Sequence, residues 1–174
     1  FKSPHTGNLG ESHAGGRSAV AIRMSGIGAI VITGANTNPG YLSIEGGKAY
    51  FRDATTLWGI SSSVTAGRII RQNESSSGLR SIMRIGRAGE NMVTYADVNT
   101  ETYRHFGRLG MGAVFGSKKL KAVVVSGNRT LEVADKVAYR ALYDEINTAA
   151  ISSPVMKKYH DLGTAENIQP LSAL

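Results

Sequence analysis

Tyr103-Arg104-His105-Phe106-Gly107-Arg108-Leu109-Gly110-Met111-Gly112-Ala113-Val114-Phe115-Gly116-Ser117-Lys118-Lys119-Leu120-Lys121-Ala122-Val123-Val124-Val125 is the stretch on which the reading of this chain turns. Gly107, Gly110, Gly112 and Gly116 crowd into it; Arg104 and Arg108 flank the first, and Lys118, Lys119 and Lys121 follow the last. Glycine lets backbone N–H groups come close to a ligand, and arginine forks match phosphate oxygens. The apolar run 122–125 reads as a buried strand, with a helix expected over 111–115 before it. The stretch predicts a polar, glycine-rich loop docked on a sheet, with positive charge aimed at an anion. The same glycines also fit a tight turn that packs a strand against a helix, and composition alone leaves both readings open.

Upstream, 80–85 and 92–98 read as strands separated by a glycine-bearing loop, 86–91. Residues 41–44 and 49–52, on either side of Glu45-Gly46-Gly47-Lys48, predict a β-hairpin, because Gly-Gly accepts positive φ in a tight turn. The β-branched run 29–33 predicts another strand, and 17–25 a short helix. Ser62 is placed to cap a helix over 64–73; 53–59 reads as a turn or short helical segment and 75–78 as a loop. Downstream, 128–133 reads as a linker. Val137, Ala138, Ala141, Leu142 and Ile146 then recur at helical spacing after Asp135, which predicts an amphipathic helix over 134–149. Pro154 suits the first position of a second helix ending near 162, and the last ten residues read as irregular. The fold class is α+β: mixed β-sheet layers with a few helices over 1–133, then the first helices of an α-helical domain over 134–174.

Hydrophobic residues make up 41% of the 174 and charged residues 19%, a globular balance. The net charge of +7 favours an anionic partner: nucleic acid, a membrane surface or a phosphorylated cofactor. The sequence contains no cysteine, which excludes disulfides and any cysteine-ligated zinc or iron–sulfur site within the chain. No apolar run has the length of a transmembrane helix, and no membrane is expected as partner. The chain opens Phe1-Lys2-Ser3-Pro4, so residue 1 is expected not to be the native start, and the chain to be part of a longer one.

Several common motifs fail on context. Gly107-x-x-Gly110-x-Gly112 looks like a dinucleotide fingerprint, but that motif needs a strand directly before it, and 103–106 reads as a poor strand. His5, His13, His105 and His160 show no metal-ligand spacing. Glu90 and Asp97 read as isolated carboxylates. Arg84, Arg87 and the lysines of 118–121 read as a solvated face. Tyr50 and Phe51 lie near Arg52 without the aromatic pattern of an RNA-binding module, so nucleic acid is not expected, although a basic nucleic-acid-binding domain stays as an alternative.

Taken in order, several stretches carry a resemblance: Ser3-Pro4-His5-Thr6-Gly7; His13-Ala14-Gly15-Gly16; 25–34; Arg52-Asp53-Ala54 with Leu57-Trp58-Gly59; Ile85-Gly86-Arg87-Ala88-Gly89-Glu90-Asn91; and above all 107–122. The last is similar to Gly-Arg-Gly-Gly-x-Gly-Ala-Val-Met-Gly-Ser-Lys-Asn-Leu-Lys-Ala in the tungsten-containing aldehyde ferredoxin oxidoreductase family. The chain resembles that family's N-terminal, bis-pterin-binding domain over most of 3–134. The resemblance implies tungsten, or molybdenum, held by two pyranopterins, with Mg2+ bridging the pterin phosphates and a 4Fe–4S cluster ligated outside this chain. It implies a cytoplasmic enzyme, often a homodimer. That enzyme would oxidise aldehydes to carboxylic acids and pass electrons to ferredoxin or another acceptor, the remainder of its own polypeptide supplying the catalytic groups. By position, Arg104 and Arg108 would contact pterin phosphate or ring edges. Gly15 and Gly107 would offer close backbone approach, and the backbone carbonyls of His13 and His105 would ligate Mg2+. His13, His105 and Leu109 depart from the family's usual Asn, Ala and Gly. A metal-free folded module without activity is the other alternative.

Overall fold

The computed structural model describes residues 1–74, 78–101, 103–130 and 132–173, which divide into two units, Phe1–Thr130 and Leu131–Leu174. The first unit runs α1 (Arg17–Ser25), β1 (Gly40–Glu45), β2 (Lys48–Asp53), a 3-10 turn (Thr55–Leu57), α2 (Ser63–Asn73), β3 (Leu79–Arg84), the single-turn α3 (Arg87–Glu90), β4 (Val98–Thr100), β5 (Arg104–Phe106), α4 (Met111–Ser117) and β6 (Leu120–Gly127). Its strands form one mixed sheet in the order β2-β1-β6-β3-β4-β5. The β1/β6 pair is parallel and the other neighbours are antiparallel.

Strand β6 is buried along almost its whole length, which explains its unbroken apolar run: a strand covered on both faces has no polar side to show. Val123 and Val125 join Leu42, Ile44 and Ile85 on one face, with Ile22 of α1 packed there. Ala122 and Val124 join Leu57, Ile82 and Ile70 of α2 on the other. Each fully buried aliphatic side chain of this kind contributes about 1.5–3 kcal/mol. Ser62 caps α2 by accepting the Thr65 N–H at 3.3 Å, as its place in the sequence predicts. The β1–β2 hairpin turns on Gly46 and Gly47, both at positive φ (58° and 75°), a conformation that suits the twist of the two strands.

Four expectations change. The run 29–33 forms no strand: Ile27, Ile30 and Ile32 pack half-buried against the first core face, while Val31 is 85% exposed. Burial satisfies its apolar residues without a ladder, and β propensity reports a half-buried surface as readily as a paired strand. Residues 86–91 are not a loop, because the Glu90 N–H closes a helical turn onto the Gly86 carbonyl at 3.1 Å. Of 92–98 only Val98 is strand; before it, the Val93 and Ala96 N–H groups bond to the Ala88 and Val93 carbonyls and make a turn. Residues 104–106, read as a poor strand, pair with β4. The fingerprint reading still fails, since β5 is a three-residue antiparallel strand and not the start of a βαβ unit. The expected loop at 75–77, like Leu131 of the expected linker, lies outside the described residues.

A buried carboxylate ties the second core face together. Glu74 accepts the Tyr41 hydroxyl at 2.7 Å and the Ser43 hydroxyl at 2.7 Å. Burial, then the hydrogen bond to Glu74 and its charge, push the Tyr41 phenol from 10.0 up to about 12, against the opposing pull of Arg52. Between those values the folded protein keeps a proton that the unfolded chain has lost. This contribution to stability is therefore intact below pH 10 and disappears as pH rises through about 12. Tyr41→Phe is expected to cost about 1 kcal/mol at neutral pH, with the gap to wild type closing across that alkaline window. Urea titrations at intervals from pH 8 upward check it; a gap constant with pH would contradict the assignment.

The second unit contains α5 (Lys136–Ser152), α6 (Pro154–Asp161), a 3-10 turn (Gly163–Asn167) and α7 (Ile168–Ser172). Asp135 caps α5 by accepting the Val137 and Ala138 N–H groups, each at 2.9 Å. The last ten residues, read as irregular, are largely helical: short 3-10 and α segments need no apolar periodicity to announce them. None of the α5 side chains is buried.

Candidate cofactor site

Two loops that are far apart in sequence meet at the edge of the sheet. Strand β5 presents Arg104 and His105, and the chain then turns through Gly107 and Arg108 towards α4. The other loop, 12–16, leads into α1. The Arg108 N–H donates to the Ser12 hydroxyl at 3.0 Å. Gly16, at φ 92°, lies under the Arg104 side chain, so that a Cβ there would sit 3.4 Å from Arg104 Cγ. The structure thus brings Gly15, Arg104, Gly107 and Arg108 to one edge.

The glycines divide into two kinds. A Cβ at Gly15 would meet nothing within 4 Å, and one at Gly107 only His105 Cβ at 4.0 Å. These two leave open space beside bare backbone. Gly110, Gly112 and Gly116 are hemmed in: a Cβ at each would overlap the backbone carbonyl of Thr94, Asp97 and Gly89 respectively. These three therefore seat α4 against α3 and the turn before β4, so the packing reading of the loop holds for them. Leu109, just before Gly110, is held at φ 60° while its carbonyl accepts the Ser3 hydroxyl at 2.8 Å. A left-handed conformation is costly for leucine. Leu109→Gly is expected to stabilise the protein by about 1 kcal/mol, read as a rise in Tm; a fall in Tm would show that the leucine side chain supplies more than its backbone costs.

The lysines of this stretch are structural and not aimed at a ligand. Lys118 Nζ donates to the Gly34 carbonyl at 2.8 Å, Lys119 lies 5.2 Å from the Trp58 ring centroid, and Lys121, fully buried, pairs with Glu90. Glu90 is thus not isolated, and it also accepts the Gly59 N–H at 2.8 Å. Asp97 is not isolated either: its Oδ2 lies 2.8 Å from His105 Nδ1. Asn99, whose Oδ1 accepts the Ser63 hydroxyl at 2.7 Å, also reaches that ring nitrogen. The His13 side chain is exposed, with Nε2 3.7 Å from Glu11 Oε2. The two histidine side chains thus engage separate carboxylates, and among the described residues no cluster of three His, Cys, Asp or Glu side chains could hold a metal.

Arg84 is the other correction. Its side chain is no part of a solvated face: the residue is 3% exposed, and its Nε donates to the Ser63 carbonyl. Burial pushes its guanidinium below the ordinary arginine value, opposed by Glu101 and reinforced by Arg71. It belongs to a cavity of about 560 Å³ that also reaches Arg104. No local sequence window shows this cavity, because its arginines come from four different elements and their flanks.

The open glycines and the arginines at one sheet edge place unobstructed backbone and guanidinium donors side by side. Residues 1–127 match the family described as aldehyde ferredoxin oxidoreductase, N-terminal domain, and the chain belongs to that family. It is 37% identical over 154 residues to a tungsten-containing aldehyde ferredoxin oxidoreductase of Thermococcus kodakarensis, covering 88% of this chain and 25% of that one. It is 32% identical over 155 residues to the WOR-like subunit of an aliphatic sulfonate oxidoreductase of Pyrococcus furiosus, covering 83% and 25%. Among solved structures it is similar to the active-site complex BamBC of benzoyl coenzyme A reductase bound to 1,5-dienoyl-CoA. That match has a TM-score of 0.75 and 35% identity, covering 84% of this chain and 22% of that chain. The chain spans about a quarter of the length of the curated relatives it matches. Among the described residues no helix is long and apolar enough to cross a membrane.

Proposed function

We propose that this chain is the tungstopterin-binding part of an oxidoreductase that oxidises aldehydes to carboxylic acids and passes the electrons through a 4Fe–4S cluster to ferredoxin. The observation that carries the reading is the junction of the two glycine loops through Ser12 and Arg108, with Arg104 over Gly16 and open space at Gly15 and Gly107. Guanidiniums and unobstructed N–H groups are the donor set that a phosphorylated pterin requires. Arg104 and Arg108 would hold its phosphates and ring edges. The carbonyls of His13 and His105 would complete the coordination of a Mg2+ otherwise held by those phosphates, an ion that takes few protein oxygens. The bound metal, tungsten or molybdenum, would supply the two-electron redox chemistry; this chain's residues would bind and orient the cofactor, and no catalytic side chain is assigned here. The cluster's cysteines and the proton-transfer groups would come from the remainder of the polypeptide. In this reading residues 1–133 form the cofactor-binding domain, residues 134–174 begin a helical one, and the enzyme is cytoplasmic and homodimeric.

The relatives are named for different substrates: aldehydes, aliphatic sulfonates and a coenzyme A thioester. The cradle is what they would share, so the direct test concerns cofactor retention and not turnover. In the full-length enzyme, Arg104→Ala and Arg108→Ala are each expected to lower pterin and tungsten content about tenfold, the loss from one charge-assisted contact to phosphate, with the thermal unfolding profile of the apo-protein unchanged. Full retention of pterin in both variants would overturn the assignment.

A further inference from the structure

The cavity beside the cradle carries more positive charge than a shared cofactor motif explains. Its walls include Arg17, Arg68, Arg71, Arg84 and Arg104, a single carboxylate, Glu101, and no lysine. Glu101 is already committed: it accepts from Arg71 Nη2 at 2.7 Å and from the Ile82 N–H at 3.0 Å. Arg84, Arg68 and Arg17 form no ion pair among the described residues. Arg84 is the most telling of the three, because a buried cation normally has a counter-charge. Its position is also built into the helix above it: a Cβ on Gly67 would come within 2.7 Å of Arg84 Nε, so α2 opens at this point to admit the guanidinium. A second, independent observation lies in the same wall. Thr100 is fully buried and its Oγ1 has no hydrogen-bond partner. A buried hydroxyl without a hydrogen-bond partner and a buried guanidinium without a paired carboxylate lie in one cavity wall, and both are donors suited to an oxyanion.

We propose that this cavity binds the pyrophosphate or phosphoester group of a small molecule distinct from the pterin cofactor, with Arg84 and Thr100 at its floor and Arg17 and Arg68 at its exposed rim. Guanidinium forks in this number select tetrahedral oxyanions with several acceptor oxygens. A space of about 560 Å³ holds a nucleotide-sized molecule and far exceeds a lone carboxylate. The proposal goes beyond the cofactor reading, and the two share Arg104 and Gly16.

Inorganic pyrophosphate titrated calorimetrically into purified full-length, metal-loaded enzyme tests it. One site per chain is expected, weakening steeply with added salt. Arg17→Ala and Arg68→Ala, both on exposed side chains, are each expected to weaken it about tenfold, Arg68→Lys to restore part of the loss, and the exposed Arg140→Ala to change nothing. Tungsten and pterin content measured on the same samples should stay at wild-type level, so a failure here is distinguishable from a failure of the cofactor assignment. If the site is already filled on purification, acid extraction releases organic phosphate in excess of pterin, and the Arg68→Ala enzyme lacks that excess. Neither titratable pyrophosphate nor excess phosphate in the wild type, or binding indifferent to Arg17 and Arg68, overturns the proposal. So does a site that appears only once pterin has been removed, since the cavity would then belong to the cofactor.

Discussion

Gly116→Ala is expected to destabilise the protein by about 3 kcal/mol or more, enough to remove most soluble full-length protein at physiological temperature. The added Cβ would overlap the Gly89 carbonyl oxygen, and its next neighbours are the Gly89 carbonyl carbon and Glu90 Cα. All are backbone, so no side chain can swing aside, and α4 would have to lift off α3. Gly89 is equally constrained, since a Cβ there would come 2.8 Å from Ile85 Cβ and 2.9 Å from the Gly112 carbonyl oxygen. The contact between α3 and α4 is thus a close backbone approach made possible by glycines on both sides. Gly15→Ala and Gly107→Ala supply the contrast. Neither glycine lies at positive φ and neither is crowded, so each replacement is expected to leave stability within about 0.5 kcal/mol of wild type. Thermal unfolding of the variants, with soluble yield as a second readout, separates the two groups. A Gly116→Ala protein as stable as Gly107→Ala would mean that the helix pair is not packed as described.

That division of the glycines marks how far the sequence could be read. The hairpin at Gly46-Gly47, the cap at Ser62, the helix that follows Asp135 and the buried strand of 122–125 were all legible, because each is specified within a few neighbouring residues. The proposed cradle rests on family resemblance, and the stretches that carry that resemblance contain scaffold: Gly59, Glu90 and Lys121 meet each other inside the protein. The strand expected at 29–33 and most of the one at 92–98 were illegible for a physical reason. An apolar β-branched run states that it will be covered, and leaves open whether a partner strand or a core face covers it. Charge was read least well. Lys121 and Glu90 are separated by 31 residues, and the arginines of the cavity span Arg17 to Arg104, so local patterning makes each look solvated. Burial of a charge is a tertiary fact, decided by where its counter-charge arrives.

The buried pair itself gives the second large effect. Lys121 projects from β6 with no exposed surface, and Glu90 on α3 bridges its ammonium to the Gly59 N–H. Glu90→Leu is expected to cost about 3–5 kcal/mol, since it strands a cation that has no route to water. Lys121→Met strands the carboxylate and is expected to cost a similar amount. The double replacement, Glu90→Leu with Lys121→Met, removes both charges together. What remains is chiefly the unpartnered Gly59 N–H, at about 1–3 kcal/mol. The double variant is therefore expected to be more stable than either single variant, although it carries more changes. Chemical unfolding of the four proteins closes the cycle, and the coupling energy isolates the pair. If the two losses simply added, Glu90 and Lys121 would each be held by something other than the other. The residues that join the three stretches Leu57-Trp58-Gly59, Gly89-Glu90 and Leu120-Lys121 would then have to be sought elsewhere. Strong coupling would instead assign these stretches to the scaffold that fixes α3 beneath α4. The cofactor's share of the motif would then be confined to the open loop at Gly107 and Arg108 and its partner at Gly15 and Gly16.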